Sequence, residues 1–203
     1  TYVLSVMRSF DPANNFNVIA AKYPDQVIGT YDLGNGVTGR VHINYAPMQP
    51  YQKLWVPYPD ENLPQVMDER AILAGFAFIN KSAAPENVWL GFNGIWDSIQ
   101  QLHWNVAYRR GEPFALDLAL LRASHLVALP SRVRVLEIMD HPIPVMVFKG
   151  DTESALTDEA MRYIRVLQRA NIPHNVLLTK GAVVVAPRSR ERLAEVSGQA
   201  AGK

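Results

Sequence analysis

The sequence predicts an α+β fold, a mostly antiparallel sheet with a few packed helices. Two observations lead there. Strand-like segments outnumber helical ones along the chain. Most consecutive strands are also joined by short turns, whereas parallel neighbours need long crossover connections. A composition of 48% hydrophobic and 19% charged residues supplies enough apolar surface for a sizeable core.

In the first 60 residues the pattern reads as strands and turns. Segments 16–22 and 26–33 read as strands. Gly34-Asn35-Gly36 follows as a turn with two glycines free to take positive φ. Residues 37–45 alternate and should pair back as a hairpin. Segment 53–57 is a short apolar strand stopped by Pro57 and Pro59. Residues 68–81 form the clearest helix, with Asp68 as N-cap and Ile72, Phe76 and Ile79 as an apolar stripe. Strands are expected over 87–93 and 101–109, and a short helix over 115–126.

The last third predicts strands at 132–139 and 145–150, then a helix over 157–170 with Thr157 as its N-cap. Segments 174–179 and 182–187 form a hairpin, and 188–196 is a polar terminal helix. No internal repeat appears. The expectation is a single domain over 1–203, with a weak subdivision near 127–131.

Composition excludes several functions. Twenty basic and 19 acidic residues leave a formal net charge of +1, unlike a polybasic nucleic-acid or membrane binder. There are no cysteines, so disulfides, thiolate metal sites and a catalytic thiol are excluded. A reducing, cytoplasmic location fits. No apolar run approaches the ~20 residues that span a bilayer, and no signal-peptide pattern stands at the N-terminus. The chain begins with Thr rather than Met, which fits missing upstream residues.

The five histidines are His42, His103, His125, His141 and His174. No His-x-His, His-x₃-His or His-Glu-x-x-His pair occurs, so a protein-held zinc or iron site has no motif behind it. His42 sits on the alternating strand 37–45. His125 closes a predicted helix, His141 precedes Pro142, and His174 follows Pro173. Each of these reads as structural.

His103 differs in its setting. A strand ends at Asn93, Gly94 allows a tight loop, and Asp97 and Ser98 lie on that loop. The next strand then shows Gln101, His103 and Asn105 on one face. Neutral amides can donate to phosphate oxygens without adding a competing anion. An imidazole can attack phosphorus if a hydrogen bond at its other nitrogen fixes the tautomer. Spacing alone leaves two readings open, a wet strand face or a phosphate-handling row.

The segment from Leu90 to Asp117 resembles the active-site segment of the GDP-L-galactose and GDP-D-glucose phosphorylase family. That family belongs to the histidine-triad (HIT) superfamily, with galactose-1-phosphate uridylyltransferase. The shared pieces are Asn93, Gly94, Ser98, the run Gln101-Leu102-His103-Trp104-Asn105, and Pro113-Phe114. Segments 10–18, 53–78 and 167–190 are similar to other parts of the family in the same order. The resemblance implies a HIT-like fold, a divergent member of the family, and no cofactor.

It also implies a reaction. In the family the middle histidine attacks the α-phosphate of a nucleotide sugar and forms a nucleotidyl-histidine, and inorganic phosphate then accepts the nucleotide. Here that histidine is His103. Ser98 and Asn105 match phosphate-binding positions, and Asn93 and Gly94 match the preceding loop. Partners would then be a nucleotide sugar, or a related dinucleotide, and inorganic phosphate. Related proteins often dimerise through the sheet, so a homodimer is one expectation.

The chain departs from the pattern at Gln101, where the family has the first histidine, and at Asn105, where it has Gln. An acidic-basic pair is absent at 116–117 and a Gly-His pair at 50–52. The metal-binding cysteines of the uridylyltransferase branch are lost together with that first histidine, so the site is expected to hold no metal. A basic phosphate contact would come from elsewhere, with Arg40, Arg109, Arg110 and Lys149 as candidates. Two alternatives to the phosphorylase are a catalytically altered HIT-like protein that binds a nucleotide or a partner, and a hydrolase with water as acceptor.

Overall fold

A computed structural model describes residues 15–45, 47, 51–94, 99–138 and 145–188. The predicted terminal helix (beyond Arg188), His141, Asp97 and Ser98 lie outside them. Ten strands form one sheet among the described residues, in the order β1-β2-β3-β5-β4-β9-β10-β8-β7-β6. They are β1 (Val27–Asp32), β2 (Thr38–Ile43), β3 (Lys53–Pro57), β4 (Val88–Asn93), β5 (Trp104–Tyr108), β6 (Ser124–Ala128), β7 (Arg134–Glu137), β8 (Met146–Lys149), β9 (His174–Thr179) and β10 (Ala182–Pro187). Every neighbouring pair is antiparallel. The fold class expected from the sequence is the one found.

The hairpins follow from local chemistry. Gly34, Asn35 and Gly36 all take positive φ, and the turn carries β1 back along β2. Gly181 does the same between β9 and β10. Strand periodicity then sorts the side chains by face. Val41, Trp55, Trp104, Val106, Leu90, Val176, Leu178, Val183 and Val185 belong to one buried core. Helices α2 (Glu69–Lys81) and α4 (Glu153–Arg169) cover that face with Ile72, Phe76, Ile79, Leu156, Ala160 and Ile164. On the opposite face Trp89, Leu136, Val147 and Val184 form a second cluster against Phe114, Leu116 and Leu120 of the α3 region. Trp89 Nε1 donates to Asp117 Oδ1 at 3.0 Å and holds α3 (Ala115–Leu121) in place.

Four sequence expectations are corrected. Segment 16–22 is a helix, α1 (Phe16–Lys22), not a strand. The Asn15 side chain accepts from the Asn17 and Val18 amides, and this cap overrides the strand character of Val18-Ile19. The helix expected over 115–126 ends at Leu121, and residues 124–128 are strand β6, so His125 lies on a strand and not at a helix end. Helix α4 starts at Glu153, with Thr152 at the N-cap position. Thr157 is buried inside it, because the stripe Leu156-Ala160-Ile164-Leu167 runs a turn further upstream than the cap signal suggested. Finally, β5 begins at Trp104. Residues 100–103 pair instead with 63–65, through Leu102 N to Leu63 O at 2.7 Å, Gln65 N to Gln100 O at 2.7 Å, and a Pro64–Gln101 bridge.

The β2–β3 pairing needs a glycine at one point. A Cβ on Gly39 would lie 2.7 Å from Cε2 and 2.9 Å from Cζ2 of the fully buried Trp55 ring. Gly39→Ala should therefore lose roughly 1–3 kcal/mol in urea unfolding through overpacking. An unchanged midpoint would show that the Trp55 ring has room to move.

Candidate functional site

The second face of the sheet is only partly covered. Between α1 and the α3 cluster, over β2, β3 and β5, lies a cavity of about 350 Å³. His42, Gln52, Asn93, His103 and Asn105 line it, with Phe16 and Ile19 of α1 along one side. No Lys, Arg, Asp or Glu lines it among the described residues. Its described wall is built of imidazoles, amides, the Tyr45 phenol and apolar groups.

His103 is buried, and its ring is oriented by the backbone. Nδ1 lies 2.8 Å from the Gln101 carbonyl oxygen. A carbonyl only accepts, so Nδ1 carries a proton, and in the neutral ring the lone pair is on Nε2. The main chain of His103 is held by Gln65, also buried. Gln65 Oε1 accepts from His103 N at 2.8 Å, and Gln65 Nε2 donates to the carbonyls of His103 (3.3 Å) and Asn93 (3.2 Å). One side-chain amide thus ties the end of β4 to the entry of β5. Asn105 follows on the same face, its Oδ1 accepting from Gln52 Nε2 at 2.8 Å.

The remaining expected residues fall in different places. Asn93 is on the cavity wall. Gly94 packs under the start of β9, where a Cβ would stand 2.9 Å from the His174 carbonyl oxygen, so the glycine makes room for backbone. Gln101 is 1% exposed and is not among the residues lining the cavity. Its Oε1 accepts from Phe16 N at 2.7 Å and its Nε2 donates to Pro59 O at 3.2 Å, so both ends of the amide hold main chain.

None of the four candidate cations lines the cavity. Arg40 donates to Asn17 Oδ1 at 2.9 Å, Arg109 to Asn87 Oδ1 and Glu86 O, and Arg110 lies over the Tyr51 ring. Lys149 sits on β8, at the far half of the sheet.

Two features escaped sequence reasoning. Gln65 sits in an irregular segment, and no spacing signals its contacts. His42 read as an isolated strand histidine, yet it shares the cavity with His103. Phe16 stands between the two imidazoles, with ring centroids 5.0 Å from His42 and 5.2 Å from His103. The signal was the same strand alternation that marked His103, but joining the two rings requires knowing that β2, β3 and β5 are adjacent. Burial and, next, the nearby Arg40 guanidinium lower the His42 pKa from 6.5 to about 4. His174 also has its Nδ1 on a backbone carbonyl, that of Ile172 at 3.0 Å, and burial lowers its pKa.

With this geometry in hand, comparison with known proteins places the chain. Residues 120–201 match a family described as GDPGP1-like, C-terminal domain. GDP-L-galactose phosphorylase 1 of Arabidopsis thaliana is 29% identical over 142 residues, 68% of this chain and 31% of that protein. GDP-D-glucose phosphorylase 1 of Danio rerio is 28% identical over 183 residues, 88% of this chain and 50% of that protein. The chain is similar to these phosphorylases at low identity. It spans half or less of the length of these two relatives.

Among solved structures, yeast Ap4A phosphorylase Apa2 in complex with AMP aligns with a TM-score of 0.62 and 19% identity, over 89% of this chain and 66% of that one. The Ap4A complex of Apa2 gives a TM-score of 0.59 and 18% identity, over 84% and 64%. At such identity the likeness shows the fold alone, a mostly antiparallel α+β sheet.

Two outcomes follow from the site's anchors. Gln65→Leu removes the partners of one buried N–H and two buried carbonyls, so it should destabilise the protein by about 2–4 kcal/mol. Denaturant unfolding measures this, and a loss under half a kcal/mol would mean water replaces the amide. Below pH 6.5 the unfolded chain takes up a proton on His42 that the folded chain refuses until about pH 4. Stability contributed this way is complete above pH 6.5 and falls by about 3 kcal/mol as pH drops through that window. His174 has the same sign. His42→Phe should flatten the fall, as seen in unfolding midpoints taken between neutral pH and about pH 4.5.

Proposed function

We propose that the chain carries a nucleotidyltransferase site of the phosphorylase kind, acting on a nucleoside-diphosphate sugar or a related dinucleotide. One observation carries this reading. His103, on the wall of a cavity, has its Nδ1 proton held by the Gln101 carbonyl, and the lone pair is left on Nε2. The names of the relatives, GDP-hexose and Ap4A phosphorylases, point to the same bond type, a phosphoanhydride next to a nucleoside phosphate.

In this reading Nε2 attacks the α-phosphorus. The bond from that phosphorus to the bridging oxygen breaks, and the sugar 1-phosphate leaves with the electron pair. An oxygen of inorganic phosphate then attacks the same phosphorus, the histidine–phosphorus bond breaks, and a nucleoside diphosphate departs. Asn105, Asn93 and Ser98 serve as neutral donors to the phosphate oxygens. Gln101 serves as a positioning residue, through its carbonyl on His103 and its side chain on Phe16. A leaving phosphate ester needs little proton assistance, because its second pKa is only about 6. Loss of the first triad histidine is therefore compatible with turnover. Water in place of phosphate would give hydrolysis by the same residues.

Departures from the pattern support a second reading, a nucleotide binder without turnover. Gln101 has both amide ends engaged by main chain and no proton to give.

Incubation with α-³²P-labelled nucleoside-diphosphate sugars, with and without phosphate, separates these readings. The phosphorylase reading expects acid-labile, alkali-stable label on the protein, discharged by phosphate. It should be absent in His103→Ala and retained in His174→Asn. Nucleotide-dependent thermal stabilisation with no label and no turnover would select the binder. Label that survives His103→Ala would remove His103 from its role.

A further inference from the structure

We propose that His42 is a second ligand contact in the cavity, hydrogen-bonding the uncharged nucleoside part of a bound nucleotide while His103 meets its phosphate. The inference rests on the His103 reading above and deepens it. His42 is 1% exposed, and among the described residues neither Nδ1 nor Nε2 has a hydrogen-bond partner. Buried polar atoms in folded proteins are almost always paired, and an exception calls for a physical cause. A purely structural residue at this point of β2 would do better as an apolar side chain of similar shape, because a buried imidazole without partners forfeits its hydration and receives nothing back.

The position of the ring supplies the cause. His42 lines the same cavity as His103, Asn93 and Asn105, with Phe16 between the two imidazoles. Its neighbours on that wall, Gln26 and Asn44, are neutral as well. A ligand entering the cavity can make the hydrogen bonds that the protein's own described groups do not supply.

The chemistry of the ring selects the part of the ligand it meets. A phosphate oxygen would favour an imidazolium, and the surroundings oppose that charge: the site is buried and the Arg40 guanidinium lies on the same strand. A neutral imidazole offers one donor and one acceptor. A phosphate only accepts, so the acceptor nitrogen would stay unsatisfied against it. A ribose hydroxyl or the amide edge of a base both donates and accepts, and fits whichever tautomer is present. His42 therefore reads the nucleoside, and its loss should change affinity for the nucleotide without changing affinity for phosphate.

Calorimetric titration of the wild type, His42→Phe and His42→Asn with GMP, AMP, UMP and inorganic phosphate tests this. His42→Phe should fold with undiminished stability at neutral pH. It should weaken the preferred monophosphate about tenfold, the equivalent of one good hydrogen bond, and leave phosphate binding unchanged. His42→Asn, which keeps a donor and an acceptor, should recover part of the loss. Should Phe disturb the packing on Phe16, His42→Leu is the second apolar variant.

Equal monophosphate affinity in wild type and a folded apolar variant would overturn the proposal. So would a parallel loss of phosphate and monophosphate binding. The two readings fail separately. Label on His103 with His42-independent affinity sinks the His42 contact alone, whereas His42-dependent monophosphate binding without label at His103 sinks the transfer step alone.

Discussion

The period of two along each strand is the constraint on which the rest of this structure depends. One face of the sheet must meet α2 and α4, and residues of that parity are apolar from Val41 through Trp55, Trp104, Leu90 and Leu178 to Val183. The other parity is thereby assigned without freedom. His42, Leu54 and Asn105 turn to the face where α1 and α3 leave a gap. A slip of one residue in β5 would put Asn105 into the core and Trp104 into the cavity. The burial of Trp104 thus positions the site as firmly as any contact within it.

Where the ladder stops, side chains replace it. His103 lies one residue before the paired part of β5, and its main-chain groups would be stranded there. Gln65 supplies both a donor and an acceptor to that one residue, as a neighbouring strand would. Its second donation, to Asn93 O, couples the two strand ends that flank the cavity. Gly94 and the start of β9 close the same corner, with Gly94 N donating to His174 O at 3.1 Å and Arg188 Nη2 to Gly94 O at 2.5 Å.

What could be read from the sequence was what local chemistry decides. Gly34-Asn35-Gly36 specifies a hairpin by backbone conformation alone, and Asp68 with the stripe Ile72-Phe76-Ile79 specifies α2. Both stand as expected. Errors arose where a local signal competed with a longer-range one. Val18-Ile19 resembles a strand, but the Asn15 cap and the burial of Phe16 decide for a helix. Residues 101–103 resemble a strand, but their partners are the 63–65 segment rather than a sheet neighbour. At the site, His103 and Asn105 were legible as part of a polar row that follows Asn93 and a glycine-containing loop, whereas Gln101 of that row lies off the cavity. His42 and Gln65 were not, because their membership depends on strand order and on a loop crossing the end of the sheet.

Gln101 stands where the family resemblance read from the sequence leads one to expect an imidazole. Its amide joins the first residue of α1 to Pro59, and its own carbonyl orients His103. A carboxamide has no proton to exchange near neutral pH. An imidazole making the same two main-chain contacts would release one of them each time it titrated, loosening α1 and the His103 ring together. With glutamine there, the joint between the helix and the histidine is indifferent to acidity.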